Sequence, residues 1–253
     1  MNLSFANKVV LITGATSGIG KATAIAFSAA GAKVVLSGRR ENLGAEVVAE
    51  IHAAGGEALF VKTDIAQESE VAALVERTVS HFGGLHVAFN NAGVESSCPL
   101  TEIPEAEYRR IFDVNVWGVI AALKYEIPAM LKSGGGSIVN TSSAVGHVGM
   151  AGAAIYVASK HAVEGITKAA ALEYANQGIR INAVAPGVVI TEMLDRFAGS
   201  EESDAAKYLS SLHPIGRLAR DIEIAQPVLW LASTASSFVT GQSILVDGGF
   251  TVQ

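Results

Sequence analysis

A single cysteine, Cys98, stands in 253 residues. A disulfide framework needs at least two, so no internal bridge holds this chain together, and so sparing a use of cysteine fits a reducing compartment. Basic clusters are missing as well: Lys and Arg total 18 against 24 Asp and Glu, a net charge of −6. Nucleic acid is bound through clustered Lys and Arg, so it is not expected as a partner. Half of the residues are apolar, yet no run of about 18 is uninterrupted, and no membrane span is expected. The six histidines are scattered, and neither H-x-x-x-H nor C-x-x-C occurs, so ligand clusters predict no metal site. The opening MNLSFANKVVLITG has no basic flank, long apolar stretch or small-residue cleavage site, which points to a cytoplasmic protein. No G-x-S-x-G occurs, so the nucleophile turn of α/β hydrolases is not available.

What is present alternates. KVVLIT (8–13), KVVLS (33–37), EALFVK (57–62), HVAFN (86–90), GSIVNTS (136–142), IRINAVA (179–185) and SILVD (243–247) read as strands. Between them GIGKATAIAFSAAG, ENLGAEVVAEIHAAGG and QESEVAALVERTVSHFG carry helical periodicity and stop at Gly, the residue suited to a left-handed helix end. Strands with almost no polar positions are covered on both faces, which predicts a doubly wound parallel α/β sheet. With no repeat, low-complexity segment or linker, residues 1–253 are expected to form one domain. The segment 191–219 holds apolar and charged residues without a strand pattern and reads as short helices on a mobile arm.

The first strand runs into TGATSGIG, with Gly14, Gly18 and Gly20 at the strand-to-helix turn. Glycines there let the backbone approach a pyrophosphate, whose charge meets free N–H groups at the helix N-terminus. Further along, YVASK places Tyr156 and Lys160 at i and i+4, on one helix face. Taken alone, that pair could equally be a half-buried tyrosine with a lysine stem lying across it.

TGATSGIG, NNAG (90–93), Asn115, Ser143, YVASK and PGVVIT (186–191), in this order and spacing, resemble the short-chain dehydrogenase/reductase family, and TGQSILVDGG (240–249) extends the resemblance to almost the whole chain. The resemblance implies a Rossmann-type sheet of seven strands, a nicotinamide cofactor and reversible hydride transfer between an alcohol and a ketone. It assigns the cofactor to Gly14, Thr16, Ser17, Gly18, Ile19 and Gly20 of the turn, and to Arg39, Asp64, Ile65, Asn91, Ala92 and Gly93. Pro186, Gly187, Val189 and Thr191 would complete that site beside Tyr156 and Lys160, although Pro186 could simply end its strand. Asp64 would bond the adenine amino group, or cap a helix beginning near Ala66, or both, while Asn90 and Ala92 would form the wall along the adenosine ribose.

Reducing a ketone leaves negative charge on oxygen, so the reaction needs a proton donor and groups to hold that oxygen. The resemblance makes Tyr156 the donor, Lys160 the charge that favours phenolate and binds the nicotinamide ribose, and Ser143 the holder of the substrate oxygen. Ser142 competes with Ser143; the family spacing favours Ser143. Asn115 would hold a water linking the lysine to solvent, or serve only as a local backbone partner in a long helix.

Substrate is expected against Val94, Glu95, Val145, His147, Met150, Met193, Leu194 and Phe197, a mostly apolar set suited to a hydrophobic ketone or secondary alcohol. The alternatives are a 3-oxoacyl-thioester reductase of fatty-acid synthesis and, in another class, a nicotinamide-binding sensor without chemistry. Gly38 stands where NAD-specific relatives carry Asp, and Arg39 follows it, so NADP(H) is expected over NAD(H). Apolar faces on helices around 104–131 and 154–176, with the end ILVDGGFTVQ, predict a homotetramer, and Gln253 is a candidate ligand for a magnesium ion at its axis.

Overall fold

The computed structural model describes residues 3–198 and 203–252, without the side chains of 196–198. The chain opens with β1 (Val9–Thr13), α1 (Gly18–Ala29), β2 (Lys33–Gly38), α2 (Glu41–Ala53), β3 (Glu57–Lys62), α3 (Glu68–Phe82) and β4 (Val87–Asn90). It continues through α4 (Glu105–Phe112), α5 (Gly118–Lys132), β5 (Gly136–Thr141), α6 (Ala154–Tyr174) and β6 (Ile179–Pro186). Two short helices, α7 (Glu192–Ala198) and α8 (Asp204–Ser211), precede α9 (Asp221–Ala232) and β7 (Ser243–Val246).

Among the described residues the strands form one sheet of seven, all parallel, in the order β3-β2-β1-β4-β5-β6-β7. This is the doubly wound parallel sheet expected from the apolar strands, with the seven strands of the Rossmann-type sheet that the resemblance implies. Successive side chains leave a strand on opposite faces, and the core divides accordingly. Val10 and Ile12 of β1, Val34 and Leu36 of β2 and Phe89 of β4 pack with Phe27 of α1 and Ile224, Val228 and Leu231 of α9. Leu11, Val35 and Ala88, their neighbours in sequence, face the other way onto Leu74 of α3, Leu123 and Met130 of α5 and Val163 of α6. With both faces covered, β1 has no exposed position.

The sheet order reverses between β1 and β4, so the connections leaving these two strands diverge and open a crevice at their carboxyl ends. The glycine turn, Asn91–Gly93, Ser143, Tyr156, Lys160 and Pro186–Thr191 all contribute to that crevice.

Two expectations change. The stretch 104–131 is not one continuous α-helix: a π-helical turn, Asp113–Trp117, separates α4 from α5 and carries Asn115. Asp64 does not cap a helix at Ala66. Its Oδ1 accepts the Ala66 N–H at 3.1 Å in the connecting loop, and α3 begins only at Glu68, after Gln67. The arm at 191–219 holds the short helices read from its sequence, closed over Leu194, Leu209 and Leu218.

Candidate active site

The crevice is a cleft of about 670 Å³. At its floor, Gly14 has φ of +65°, and a Cβ there would lie 2.8 Å from the Ala92 Cα. Both the dihedral and the contact require glycine. Two strand ends are therefore locked together. Thr13 Oγ1 accepts the N–H groups of Asn91 at 3.0 Å and Ala92 at 3.1 Å, and Asn91 Nδ2 donates to the carbonyls of Thr13 and Gly14 at 3.2 Å each. Gly20 lies behind the turn, where a Cβ would meet the Gly14 carbonyl at 2.3 Å. The result is a helix N-terminus, that of α1, aimed into the cleft with no side chain capping it, a site where anions are stabilised.

Thr16, Ser17, Gly18 and Ile19 continue the floor. Arg39, Asp64 and Ile65 stand at one end, and Gly93, Pro186, Gly187, Val189 and Thr191 at the other. The structure thus gathers the predicted cofactor residues into one cleft, apart from Gly20 beneath it. Asn90 is a correction. It ends β4 facing away from the crevice, and its Nδ2 donates to Glu126 Oε2 at 3.0 Å and Asn140 Oδ1 at 3.1 Å. The next residue, Asn91, faces the cleft instead, as alternation along a strand requires.

Tyr156 and Lys160 occupy the first turns of α6, with the Lys160 ammonium 5.6 Å from the Tyr156 ring centroid. Lys160 Nζ donates to the Thr141 carbonyl at 2.9 Å. Ser143, two residues past β5, begins a short 3-10 turn over Ala144–Gly146, and its hydroxyl acts on the Tyr156 phenol, lowering its pKa. Ser142 has its hydroxyl buried with no hydrogen-bond partner among the described residues, under Gly146, whose Cβ would meet it at 2.5 Å. Of the two adjacent serines, Ser143 is the one whose hydroxyl acts on the tyrosine.

Burial pushes the Tyr156 phenol up to about 12, the hydrogen bond from Ser143 opposes this, and Glu95 adds to it. Desolvation is the largest of these influences, and it keeps the tyrosine a protonated phenol. Burial likewise brings Lys160 down to about 8, against the opposing field of Glu164.

Asn115 is 1% exposed and lies behind the cleft wall. Its Oδ1 accepts the Val94 N–H and its Nδ2 donates to the Val94 carbonyl, both at 2.9 Å, with a further bond to Ser159 Oγ at 3.1 Å. The side chain thus clamps the segment after β4. A Cβ on Gly93 would lie 3.4 Å from Asn115 Oδ1 and 3.7 Å from Lys160 Nζ, so glycine lets the backbone pass between these two polar groups.

Val94, Glu95, Val145, Met150, Met193 and Leu194 line the cleft above Tyr156. His147 does not. Its Nε2 sits 3.0 Å from Ser243 Oγ and 3.2 Å from Glu164 Oε1, on the far side of its turn. The Phe197 side chain and Gln253 lie outside the described residues.

Arg40, Glu192 and His213 are among the lining residues outside the predicted set. Arg40 crosses from the start of α2 to Thr16 Oγ1, at 2.9 Å from Nη2, and to Ser17 Oγ at 2.7 Å. Its partner Glu192 comes from the arm. His213, 3% exposed, pins the arm to the end of β6: Nδ1 donates to the Leu209 carbonyl at 2.8 Å and Nε2 accepts the Val188 N–H at 3.1 Å.

As chemistry, the cleft pairs an anion-stabilising helix end with a protonated phenol, a serine hydroxyl and an ammonium. It suits an extended ligand with a central negative charge, and proton donation to an oxygen at its other end.

A family model described as "Enoyl-(Acyl carrier protein) reductase" matches residues 14–251. The chain is 48% identical over 252 residues to a cyclohexanol dehydrogenase of Acinetobacter sp., covering 99% of this chain and 98% of that one. It is 46% identical over 246 residues to a 2,5-dichloro-2,5-cyclohexadiene-1,4-diol dehydrogenase of Sphingobium indicum, covering 96% and 97%. Among solved structures, a short-chain type dehydrogenase/reductase from Mycobacterium marinum superposes with a TM-score of 0.94 at 37% identity, over 99% of this chain and 98% of its own.

Proposed function

The chain belongs to the short-chain dehydrogenase/reductase family, and from that premise we propose that it interconverts a hydrophobic, ring-bearing secondary alcohol and its ketone with NADP(H). The observation that carries this reading is the convergence of Ser143, Tyr156 and Lys160 on one wall of the cleft whose floor is the glycine turn. The nicotinamide, when bound, supplies or accepts the hydride. The chain's residues do the rest.

The α1 N-terminus, opened by Gly14 and Gly18, holds the pyrophosphate. Asp64 and Ile65 flank the adenine, and Pro186, Gly187, Val189 and Thr191 flank the carboxamide end. Ser143 holds the substrate oxygen while Tyr156 gives it a proton, and the high value of the buried phenol means that the proton is present to be given. Lys160 binds the ribose hydroxyls and offsets the charge left on the tyrosine oxygen, with Asn115 fixing the wall beside it. In the oxidising direction the same groups act in reverse.

Preference for NADP(H) is supported by three features of the adenosine end. Gly38 offers no carboxylate to accept from the ribose hydroxyls, and a Cβ there would come within 2.9 Å of Thr16 Cγ2, so an Asp would require the Thr16 side chain to shift. Arg39 lines the cleft beside it, and Arg40 brings a second guanidinium onto Thr16 and Ser17. A planar cation suits a phosphate better than a neutral ribose.

The substrate class is inferred from the apolar lining by Val94, Val145, Met150, Met193 and Leu194 and from relatives named for cyclohexanol and a cyclohexadienediol. A homotetramer in the cytoplasm completes the proposal. Leu172 at 85% and Phe238 at 103% exposure, with Trp117 and Leu245, offer apolar faces for self-association, and no helix among the described residues is long and apolar enough to cross a membrane.

Purified protein with NADPH and a panel of cyclohexanones, acyclic ketones and 3-oxoacyl thioesters, followed at the nicotinamide absorbance, tests this reading. Preferred turnover of the cyclic ketones is expected. Faster turnover of the thioesters would replace the substrate class, and no turnover with any compound would favour a non-catalytic nicotinamide-binding protein.

A further inference from the structure

Two buried side chains of opposite charge follow one another along the same face of α6. Lys160 is 4% exposed and Glu164 is 5% exposed, one helical turn apart. Among the described residues Lys160 hydrogen-bonds only a neutral partner, the Thr141 carbonyl. Glu164 Oε1 accepts from Ser243 Oγ at 2.8 Å and stands 3.2 Å from His147 Nε2, and no described residue hydrogen-bonds its Oε2. A carboxylate this deep is retained at a considerable desolvation penalty unless an opposite charge or a function offsets it.

We propose that Glu164 is a positioning residue for the proton step: its carboxylate, buried one turn past Lys160, is the fixed counter-charge that keeps the Lys160 side chain an ammonium, while Ser243 and His147 hold it in place. This role rests on the one proposed for Lys160. An ammonium surrounded by protein loses its proton more easily than one in water, and a neutral amine neither offsets charge on the tyrosine oxygen nor orients ribose hydroxyls by charge. Other titratable groups near the pair are Tyr156 and, one turn past Glu164, Lys168 on the same helix, Glu95 from the segment after β4 and His147 from the turn after β5. Tyr156 is a neutral phenol, and Glu95 is felt at Tyr156. Glu164 is the charge whose field at Lys160 opposes burial.

The test is the pH dependence of kcat/KM and, without turnover, of NADPH binding by its fluorescence. Glu164→Gln removes the charge with a polar side chain of the same shape, and Glu164→Met removes it without leaving a buried polar group unpaired. Glu164→Asp keeps the charge. The wild type is expected to lose activity and binding as the pH rises through about 8. In the Gln and Met variants that loss should move down by about one pH unit, so activity at pH 8 falls by about fivefold and hardly changes at pH 6. The Asp variant should recover most of the difference. A loss that is uniform across pH, or an unmoved alkaline limb in both neutral variants, overturns the proposal and leaves Glu164 a packing residue. Lys160→Met separates the two levels. If it matches the wild type in turnover and binding, the role of Lys160 itself fails; if it abolishes both while the neutral Glu164 variants keep the wild-type limb, only the role of Glu164 fails.

Discussion

Arg40 Nη1 lies 2.5 Å from Glu192 Oε2, joining the residue that precedes α2 to the first residue of α7. The same guanidinium donates to Thr16 and Ser17 in the glycine turn, so one side chain ties the floor of the cleft to the arm that begins at 191. Both partners are partly exposed, and such a pair is worth little in stability. Its interest is competition, because a 2′-phosphate at the adenosine ribose would draw on the donors that Glu192 now uses.

Cofactor choice should respond on both sides of that contact. The wild type is expected to favour NADP(H) over NAD(H) by about tenfold in kcat/KM, about 1.4 kcal/mol, and Arg39→Ala to remove most of it. Arg40→Ala should weaken NADPH binding more than NADH binding, while Glu192→Gln, which leaves Arg40 without its carboxylate, should tighten NADPH a few-fold and leave NADH unchanged. Fluorescence titration of the two reduced cofactors checks all three. Equal or better efficiency with NAD(H) in the wild type would contradict the preference.

Removing the phenol oxygen isolates the proton donor. Tyr156→Phe should lower turnover by about a hundredfold or more while cofactor still binds, since a positioned acid is worth at least that. A Phe variant with more than about a tenth of the wild-type rate would mean that another group supplies the proton.

The sheet was legible in the sequence because parallel strands covered on both faces leave nearly unbroken apolar runs, as in KVVLIT and KVVLS. The pairing of Tyr156 with Lys160 followed from helical spacing. What escaped depends on long-range or single-residue geometry. The π-helical turn at Asn115 leaves no mark in a periodic pattern, because one additional residue in a turn shifts every later position without changing composition. Asn90 and Asn91 are identical in type, and only the register of β4 decides which faces the crevice. His147 shares its turn with cleft residues but points behind it to Glu164. Arg40 and Glu192 are 152 positions apart, so no local signal joins them.

The glycine turn makes a prediction about backbone strain. Gly14→Ala places a side chain at φ of +65° and 2.8 Å from the Ala92 Cα, where backbone, not a flexible side chain, must move. The expected destabilisation is about 1–3 kcal/mol, seen as a lower melting temperature, together with weakened binding of both cofactors. An alanine variant that binds NADPH normally would show that the two strand ends have more room than this geometry allows.

Glu126, fully buried on α5, carries a different kind of test because it lies away from the cleft. Burial pushes its carboxyl up to about 7, with the hydrogen bond from Asn90 opposing the rise. A carboxyl that holds its proton longer when folded than when unfolded contributes full stability below about 4.5 and loses it as the pH rises toward 7, because the unfolded chain releases the proton first. Glu126→Gln keeps an acceptor for the Asn90 amide and has no proton to lose. Denaturant unfolding at pH 5 and pH 8 should therefore find the Gln variant gaining on the wild type between the two, by up to about 3 kcal/mol. A difference that stays constant with pH would place the Glu126 carboxylate in contact with water or with a neighbouring subunit that keeps it charged.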